Sequence, residues 1–215
     1  MTTGKVIAVP AAMTAGEATR RDFLYVATGA AAAVGAAATA WPLVSQMNPD
    51  ASTIAEGAPV DFDISSVQPG QQVVVRWRKK PILVVRRTPE VLAMLRNPQL
   101  VERLRDAQSA NSQQPDYAGN WHRSINPEYA VMTGICTHLG CIPVFFPNPG
   151  PTWFAKDWLG GYFCACHGSK YDLAGRVFKD VPAPQNLTVP PYRFVDDKMI
   201  RIGEDPPPVK PTAGA

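Results

Sequence analysis

The fold of this chain is decided by CTHLGC at residues 136–141 and by CACHGS at residues 164–169. These two stretches contain all four cysteines of the 215-residue sequence and two of its three histidines. Each stretch places one cysteine and one histidine within reach of a single loop, with a second cysteine beside them. Such clustering predicts a metal site, a disulfide or both.

Two kinds of metal site accept these residue types. A tetrahedral zinc ion takes two cysteines and two histidines, but zinc modules usually carry Cys-x2-Cys and His-x3-His spacings, and this sequence has neither. In a [2Fe–2S] centre of mixed ligation, one iron takes two thiolates and the other takes two imidazoles. Two loops that each offer one cysteine and one histidine therefore favour the iron–sulfur centre, and zinc remains the alternative.

The composition favours one globular domain with an additional anchor or tail. Apolar residues make up 46% of the chain, which is enough for a packed core, and charged residues only 18%. The 22 prolines favour loops and sheet edges over long helices. The formal net charge of +3 is too small and too evenly spread to indicate a nucleic-acid partner.

The N-terminal region predicts a membrane anchor that follows an export signal. Arg20 and Arg21 precede an uncharged stretch that begins at Phe23, which is the pattern of a twin-arginine signal. We therefore predict residues 1–22 as a cytoplasmic N-terminus and residues 23–47 as a transmembrane helix, since this length crosses a bilayer core of roughly 30 Å. The paired arginines place the rest of the chain outside the cytoplasm.

A cleavable signal is the alternative for the same region. Residues 38–40 (Ala-Thr-Ala) fit a small-residue cleavage site. Trp41 follows directly, however, and tryptophan is typical of the interface between membrane and water. We therefore favour a retained anchor.

The remainder of the chain predicts a linker and a mostly β domain. Residues 48–59 are polar and without periodic pattern, and predict a hinge linker. Residues 60–203 form the domain, and a helical insert at 89–126 begins at Pro89 and is split in two by Pro98. Residues 204–215 are a Pro-rich tail, and His122 is expected at the surface. Strand patterns occur at 60–64, 73–77, 82–85, 189–195 and 199–202.

The two cysteine motifs, with Tyr171 and Asp172 after the second, closely resemble those of the bacterial Rieske iron–sulfur subunits of cytochrome bc1 complexes (ubiquinol–cytochrome c reductases). The resemblance extends from the twin-arginine region to Pro182-Ala183-Pro184. It implies a single transmembrane helix, a flexible linker and an antiparallel β-sandwich Rieske domain with a small cluster-binding subdomain at about residues 134–185. Val181 departs from the family, which commonly has glycine there, and this leaves the path of that loop open.

The resemblance also implies the ligands of one [2Fe–2S] cluster. Cys136 and Cys164 would bind the inner iron, and His138 and His167 would bind the outer iron. Each histidine would keep its second ring nitrogen at the surface, where the nitrogen of His167 would accept a hydrogen bond and a proton from ubiquinol.

Further residues around the cluster receive roles from the same resemblance. Cys141 and Cys166 would form a disulfide between the two loops, which the periplasm permits. Hydroxyl groups of Ser169 and Tyr171 would donate hydrogen bonds to sulfur and thereby raise the reduction potential. The plain structural alternative for these two hydroxyls is packing in a turn and a strand.

The implied function is electron transfer within a respiratory-chain enzyme that is inactive as this subunit alone. Leu139 and Gly140 would dock on cytochrome b, and Pro182-Ala183-Pro184 would buttress the cluster. The head domain would then move about the linker and pass the electron to cytochrome c1. The family further implies a dimeric complex in the bacterial inner membrane, with the Rieske domain in the periplasm, and a supercomplex with a terminal oxidase is an open alternative.

Other Rieske proteins are rival interpretations. The small subunit of arsenite oxidase is also exported by a twin-arginine signal, but its second motif typically lacks the Gly-Ser-x-Tyr arrangement of residues 168–171. Rieske ferredoxins and oxygenase domains normally lack both the anchor and the extra cysteine pair, Cys141 and Cys166. The long insert at residues 89–126 weakly disfavours a plastoquinol-oxidising version.

Overall fold

The computed structural model describes residues 19–111 and 113–207, so the predictions for residues 1–18 and for the tail from 208 onward lie outside the described residues. The chain divides into two units between Asp50 and Ala51. The helices are α1 (Arg20–Ser45), α2 (Ala51–Glu56), α3 (Pro89–Leu95) and α4 (Pro98–Val101). The strands are β1 (Val60–Asp63), β2 (Gln72–Trp77), β3 (Lys80–Arg86), β4 (Tyr129–Thr133), β5 (Val144–Phe146), β6 (Gly161–Cys164), β7 (Ser169–Tyr171), β8 (Tyr192–Phe194) and β9 (Met199–Ile202).

Helix α1 is the predicted apolar helix. Its start is set by a capping box in which Thr19 and Asp22 bind each other's backbone N–H groups, so the helix includes the arginine pair. Its 26 residues correspond to about 39 Å, and among residues 19–111 and 113–207 it alone is long and apolar enough to cross a membrane. A signal sequence would meet the same criteria of length and composition.

The predicted linker contains regular structure in its second half. Residues 51–56 form α2, and the following Ala58 carbonyl accepts a hydrogen bond of 3.0 Å from Trp77 Nε1. Glu56 forms a 3.0 Å ion pair with Lys79. These contacts attach the linker's C-terminal half to the turn between β2 and β3, which a pattern of polar residues alone does not predict.

The described residues form three antiparallel sheets, and in the sheet β2-β3-β4 the strands β3 and β4 are buried on both faces. In β3, Ile82 and Val84 join one apolar core, and Leu83 and Val85 join a second core on the opposite face. The first core is closed by the sheet β1-β9-β8, and the second by β5-β6-β7. Because successive side chains point to opposite faces, a strand covered on both sides is apolar throughout. This arrangement confirms the predicted mostly β fold.

The sheet β5-β6-β7 carries the second cysteine motif. Tyr162 and Tyr171 lie opposite each other on β6 and β7 and fill the second core. Gly161 has a φ of +145°, and a Cβ there would collide with the Tyr171 carbonyl, so the close approach of these strands requires glycine. Since β6 ends at Cys164 and β7 begins at Ser169, the motif forms the turn between them.

The insert after β3 contains the two short helices that the sequence predicts. Thr88 caps α3 through the Val91 N–H, and Asn97 caps α4 through the Gln99 N–H. Each helix begins with a proline, which suits a first helical position and separates the two helices. The insert packs through Leu95, Leu100 and Leu104 against Trp158 and Phe178.

His122 is not at the surface, and this expectation was wrong. Its ring is buried against Trp121, and its Nδ1 lies 2.8 Å from Ser124 Oγ. Burial, together with the nearby Arg87 and Arg96, lowers the pKa of His122 to about 4. The neutral ring therefore belongs to the core of the insert, where a hydroxyl partner satisfies it.

Candidate metal centre

The first motif forms a tight loop after β4. The Cys136 N–H donates to the Cys141 carbonyl at 2.7 Å, and the Gly140 N–H donates to the Cys136 carbonyl at 3.0 Å. Gly140 has a φ of +87°, a left-handed conformation that glycine adopts without strain. The loop thus directs the Cys136 side chain inward and leaves Leu139 exposed at its tip.

The second motif forms a matching loop between β6 and β7. The Gly168 N–H donates to the Cys164 carbonyl at 2.9 Å, and Gly168 has a φ of +81°. Cys164 is buried, whereas His167 is exposed. Both loops therefore place a cysteine below the surface and a histidine nearer to solvent.

A disulfide joins Cys141 to Cys166 across the two loops, with their Cα atoms 6.7 Å apart. Cys136 and Cys164 are free thiols. The sulfur atoms of Cys141, Cys164 and Cys166 all lie within 4.8 Å of one another. Two of these three sulfurs form the disulfide, so only Cys164 of this group can supply a thiolate to a metal.

The two histidines of the motifs meet at the surface. The ring centroids of His138 and His167 are 4.7 Å apart, and the ring planes are nearly perpendicular at 89°. His138 is half-buried and His167 is exposed. The loops therefore bring together a pair of buried thiols and a pair of imidazoles at the solvent side.

Comparisons with known proteins identify the family to which this chain belongs. Family models match as "Ubiquitinol-cytochrome C reductase Fe-S subunit TAT signal" over residues 10–50 and as "Rieske [2Fe-2S] domain" over residues 100–193. The ubiquinol-cytochrome c reductase iron-sulfur subunit of Allochromatium vinosum is 52% identical over 186 residues, which cover 86% of this chain and 89% of that protein. This chain belongs to the family of Rieske iron–sulfur subunits of ubiquinol–cytochrome c reductase.

Further relatives of this Rieske subunit agree. The corresponding subunit of Blastochloris viridis is 50% identical over 190 residues, covering 87% of this chain and 94% of that protein. Among solved structures, a chain from "Hyperthermophilic respiratory Complex III" aligns with a TM-score of 0.43 and 25% identity, covering 81% of this chain and 98% of that chain.

The donor atoms of the two loops fit the [2Fe–2S] cluster of the Rieske domain. Rieske ligation needs two thiolates for one iron and two imidazoles for the other. The two free thiols, Cys136 and Cys164, lie side by side in the core, and the two imidazoles are adjacent at the surface. The disulfide removes the other two cysteines from competition.

The Tyr171 hydroxyl contacts one of the two buried thiols. Its hydroxyl lies 3.2 Å from Cys136 Sγ and accepts a hydrogen bond of 3.0 Å from the Thr137 N–H. Burial alone would raise the pKa of the Cys136 thiol, but hydrogen bonds from Tyr171 and from the His138 N–H hold it below its ordinary value. Burial, and then the neighbouring Cys136, raise the pKa of Cys164.

The Tyr171 phenol is suited to donate to sulfur. Burial and the adjacent Cys136 raise the pKa of Tyr171, so the hydroxyl keeps its proton. Thr137 Oγ1 lies 3.1 Å from the same hydroxyl, but it uses its own proton on the Gln185 carbonyl at 2.7 Å. The phenol proton therefore remains for Cys136 Sγ or Thr137 Oγ1.

The Pro182-Ala183-Pro184 segment is connected to both loops. The Ala183 N–H donates to Ser169 Oγ at 3.0 Å, beside the second loop. The bond from Thr137 to Gln185 connects it to the first loop. Sequence reasoning missed Thr137 and Gln185, since neither residue type at these positions signals a role before the segment is seen next to the cluster loops.

Further exposed apolar residues follow Leu139 along the chain. Leu139 is 70% exposed, and Ile142, Val144 and Trp153 are also exposed. Trp153 packs edge-on against Phe163, which lies opposite Val144 across β5 and β6. Ile142, Val144 and Trp153 are apolar residues between the two cysteine motifs, so the sequence could have indicated these exposed positions. They were not predicted.

The Tyr171→Phe variant is expected to lower the reduction potential of the cluster. A donor to sulfur stabilises the more negative reduced form, and a hydrogen bond to a charged group contributes roughly 1.5–3 kcal/mol, or roughly 60–130 mV for one electron. An EPR-monitored redox titration measures the shift. Tyr162→Phe is the matched control, because Tyr162 Oη has no hydrogen-bond partner among the described residues. An unchanged potential in Tyr171→Phe would contradict the role of this hydroxyl.

Proposed function

We propose that this chain is the electron-transfer subunit of a ubiquinol–cytochrome c reductase. The observation that carries the proposal is the pair of loops that join two free buried thiols with two adjacent surface imidazoles, in a chain 52% identical to a subunit with that name. In this role Cys136 and Cys164 hold the inner iron, and His138 and His167 hold the outer iron. When bound, the cluster supplies a one-electron redox couple.

The residues of the chain position the cluster and provide the group that accepts the proton. The exposed ring of His167 presents a nitrogen to solvent or to a quinol hydroxyl, from which it accepts a hydrogen bond and then a proton. A proton on this nitrogen compensates the negative charge that arrives with the electron. The Tyr171 hydroxyl donates to Cys136 Sγ, and the disulfide between Cys141 and Cys166 maintains the spacing of the loops.

The apolar tip is the surface that docks on cytochrome b in this proposal. Leu139, with Gly140 behind it, excludes water from the contact around His167. Cytochrome c1 is the electron acceptor, reached by movement of the head domain about the linker. α2 and Ala58 contact the head through Lys79 and Trp77, so the part of the predicted linker that precedes α2 is residues 48–50.

In this proposal α1 sets the membrane topology. The helix remains as a single-pass anchor in the bacterial inner membrane, with Arg20 and Arg21 on the cytoplasmic side and the Rieske domain in the periplasm. The complex is a dimer that contains cytochrome b and cytochrome c1, and a supercomplex with a terminal oxidase is an open alternative.

A redox-poised EPR titration of the membrane-extracted protein from pH 6 to pH 10 tests this function. We expect a rhombic Rieske signal whose potential is well above zero and falls at alkaline pH. The slope approaches about 59 mV per pH unit where one proton accompanies one electron. Oxidation of ubiquinol by the isolated complex with cytochrome c as acceptor completes the test.

Other outcomes would overturn the proposal. A potential near −150 mV that does not change around neutral pH indicates a carrier of the oxygenase type. Arsenite-dependent reduction without quinol oxidation indicates the small subunit of an arsenite oxidase. Bound zinc without any iron signal indicates a structural metal protein.

A further inference from the structure

Charged side chains are buried in the interior of the head domain, behind the cluster loops. Arg87, Arg123 and Arg176 are each at most 2% exposed, and Asp172 is fully buried. In the part of the chain that the structure describes, these are the charged residues of the core. Three positive charges therefore face one fully buried negative charge.

One of the three positive charges is cancelled. Arg176 Nε lies 2.7 Å from Asp172 Oδ2, and the other Asp172 oxygen accepts the Ala174 and Arg176 backbone N–H groups. The Arg176 Nη atoms donate to the Leu95 and Ala107 carbonyls. Asp172 is thus committed to Arg176 and to the backbone.

The other two guanidinium groups contact only neutral oxygens. Arg123 donates to the carbonyls of Ala174, Gly175 and Leu187 and to Gln114 Oε1. Arg87 Nη1 donates to Ser124 Oγ and to the Pro127 carbonyl. Neither forms an ion pair with a described carboxylate.

Several donors of these two arginines have no partner in the ranges 19–111 and 113–207, namely Nε and Nη2 of Arg87 and Nε of Arg123. Asp172 and, for Arg123, the half-buried Asp106 act on them only at longer range. Burial lowers the pKa of Arg87 and of Arg123 to about 10, so both remain charged at neutral pH. The interior of the head domain therefore carries uncompensated positive charge.

This charge lies next to the core that holds the two free thiols. Arg87 directly follows β3, whose Val85 belongs to the same apolar core as Cys136 and Cys164. Arg123 Nη2 is 2.6 Å from the carbonyl oxygen of Leu187, another member of that core. Arg87 also acts electrostatically on Tyr162, which stands two residues before Cys164 on β6.

We propose that Arg87 and Arg123 raise the reduction potential of the cluster through their uncompensated buried charge, and that Asp172 opposes them. The inference rests on the proposed electron-transfer function. An added electron is stabilised by nearby positive charge, and two unit charges about 12–20 Å apart at an effective dielectric constant of about 20 change an equilibrium roughly four- to tenfold. Salt screens buried charges far less than exposed ones, so the effect persists at high ionic strength.

Two variants test the proposal in the assembled complex, one that removes a positive charge and one that removes a negative charge. Arg87→Met removes a positive charge, and we expect the ratio of reduced to oxidised cluster at a fixed potential to fall about fourfold, equal to about 36 mV. Asp172→Asn removes the negative charge but keeps an oxygen for the two backbone N–H groups, and we expect a shift of similar size in the opposite direction. The readout is the midpoint potential from EPR at low and at high salt.

Arg86→Met is the matched control. Arg86 precedes Arg87 directly, but it is partly exposed and forms a 2.6 Å ion pair with Glu128, so its loss leaves the potential nearly unchanged. Arg87→Lys keeps the charge and should keep the potential. Potentials that shift in the same direction in Arg87→Met and Asp172→Asn, or that do not shift, would overturn the inference. If Arg87→Met does not assemble, Arg123→Met decides, and we expect the same downward shift.

The two proposals fail in different ways. Absence of a Rieske signal from the unmodified complex contradicts the proposed function. A normal signal and normal quinol oxidation, with potentials insensitive to Arg87 and Asp172, contradict only the role of the buried charge.

Discussion

The His167→Gln variant is expected to lose the Rieske EPR signal and its protein-bound iron while the chain still folds. His167 is exposed, and exposed positions usually tolerate substitution within about 0.5 kcal/mol. Glutamine offers no imidazole nitrogen to iron. We expect iron content to fall by more than about tenfold, because even changes to groups behind metal ligands cost about 10- to 100-fold in affinity.

The chain contains a matched control for this experiment. His122 is the third histidine, and it lies away from the motifs with its Nδ1 2.8 Å from Ser124 Oγ. His122→Gln should keep the signal and the iron, although it changes a buried position. His138→Gln should behave like His167→Gln. Full iron content and an unchanged signal in His167→Gln would show that His167 is not a ligand.

Removal of the disulfide is expected to cause the largest loss of stability. Cys141 and Cys166 are separated by 25 residues, and closing a loop of this length contributes about 3 kcal/mol in the chain-entropy model. In the double variant Cys141→Ser and Cys166→Ser, the melting temperature should fall by roughly 6–12 °C. Thermal unfolding of the detergent-solubilised full chain, followed by circular dichroism, measures the change.

Both cysteines have to be replaced together. The sulfur of Cys166 lies within 4.8 Å of that of Cys164, so a single Cys141→Ser variant frees a thiol beside a proposed cluster ligand. That thiol can form a disulfide with Cys164 and remove the ligand. Dithiothreitol added to the unmodified chain provides the chemical control and should lower the melting temperature to the same value. An unchanged melting temperature in the double variant would contradict a stabilising role for the bridge.

Much of the candidate site could be predicted because its chemistry is local in sequence. Each loop carries one cysteine and one histidine within four residues, so the donor types are visible before any folding is known. The two helices of the insert were also predictable, since Pro89 and Pro98 mark their first positions. The strand pattern at residues 82–85 predicted the centre of β3, which extends from Lys80 to Arg86.

Other features depended on contacts between distant residues. The histidine count and spacing did not predict the burial of His122, because burial is decided by how the insert packs on the head. The linker pattern did not predict that Trp77 and Lys79 would attach α2. The sequence around a polar residue near a turn does not indicate which distant residue it will contact.

By itself, therefore, the sequence determined the family, the candidate cluster donors and the apolar N-terminal helix, because these depend on residue types within single short segments. Only the tertiary structure decided that Thr137 meets Gln185 from 48 residues away and that Ser169 accepts from Ala183. It alone placed Arg87 and Arg123 inside the head domain without carboxylate partners among the described residues. An arginine in a sequence is a surface charge by default, and its charge affects a redox centre strongly only when packing removes it from water and from its counterions.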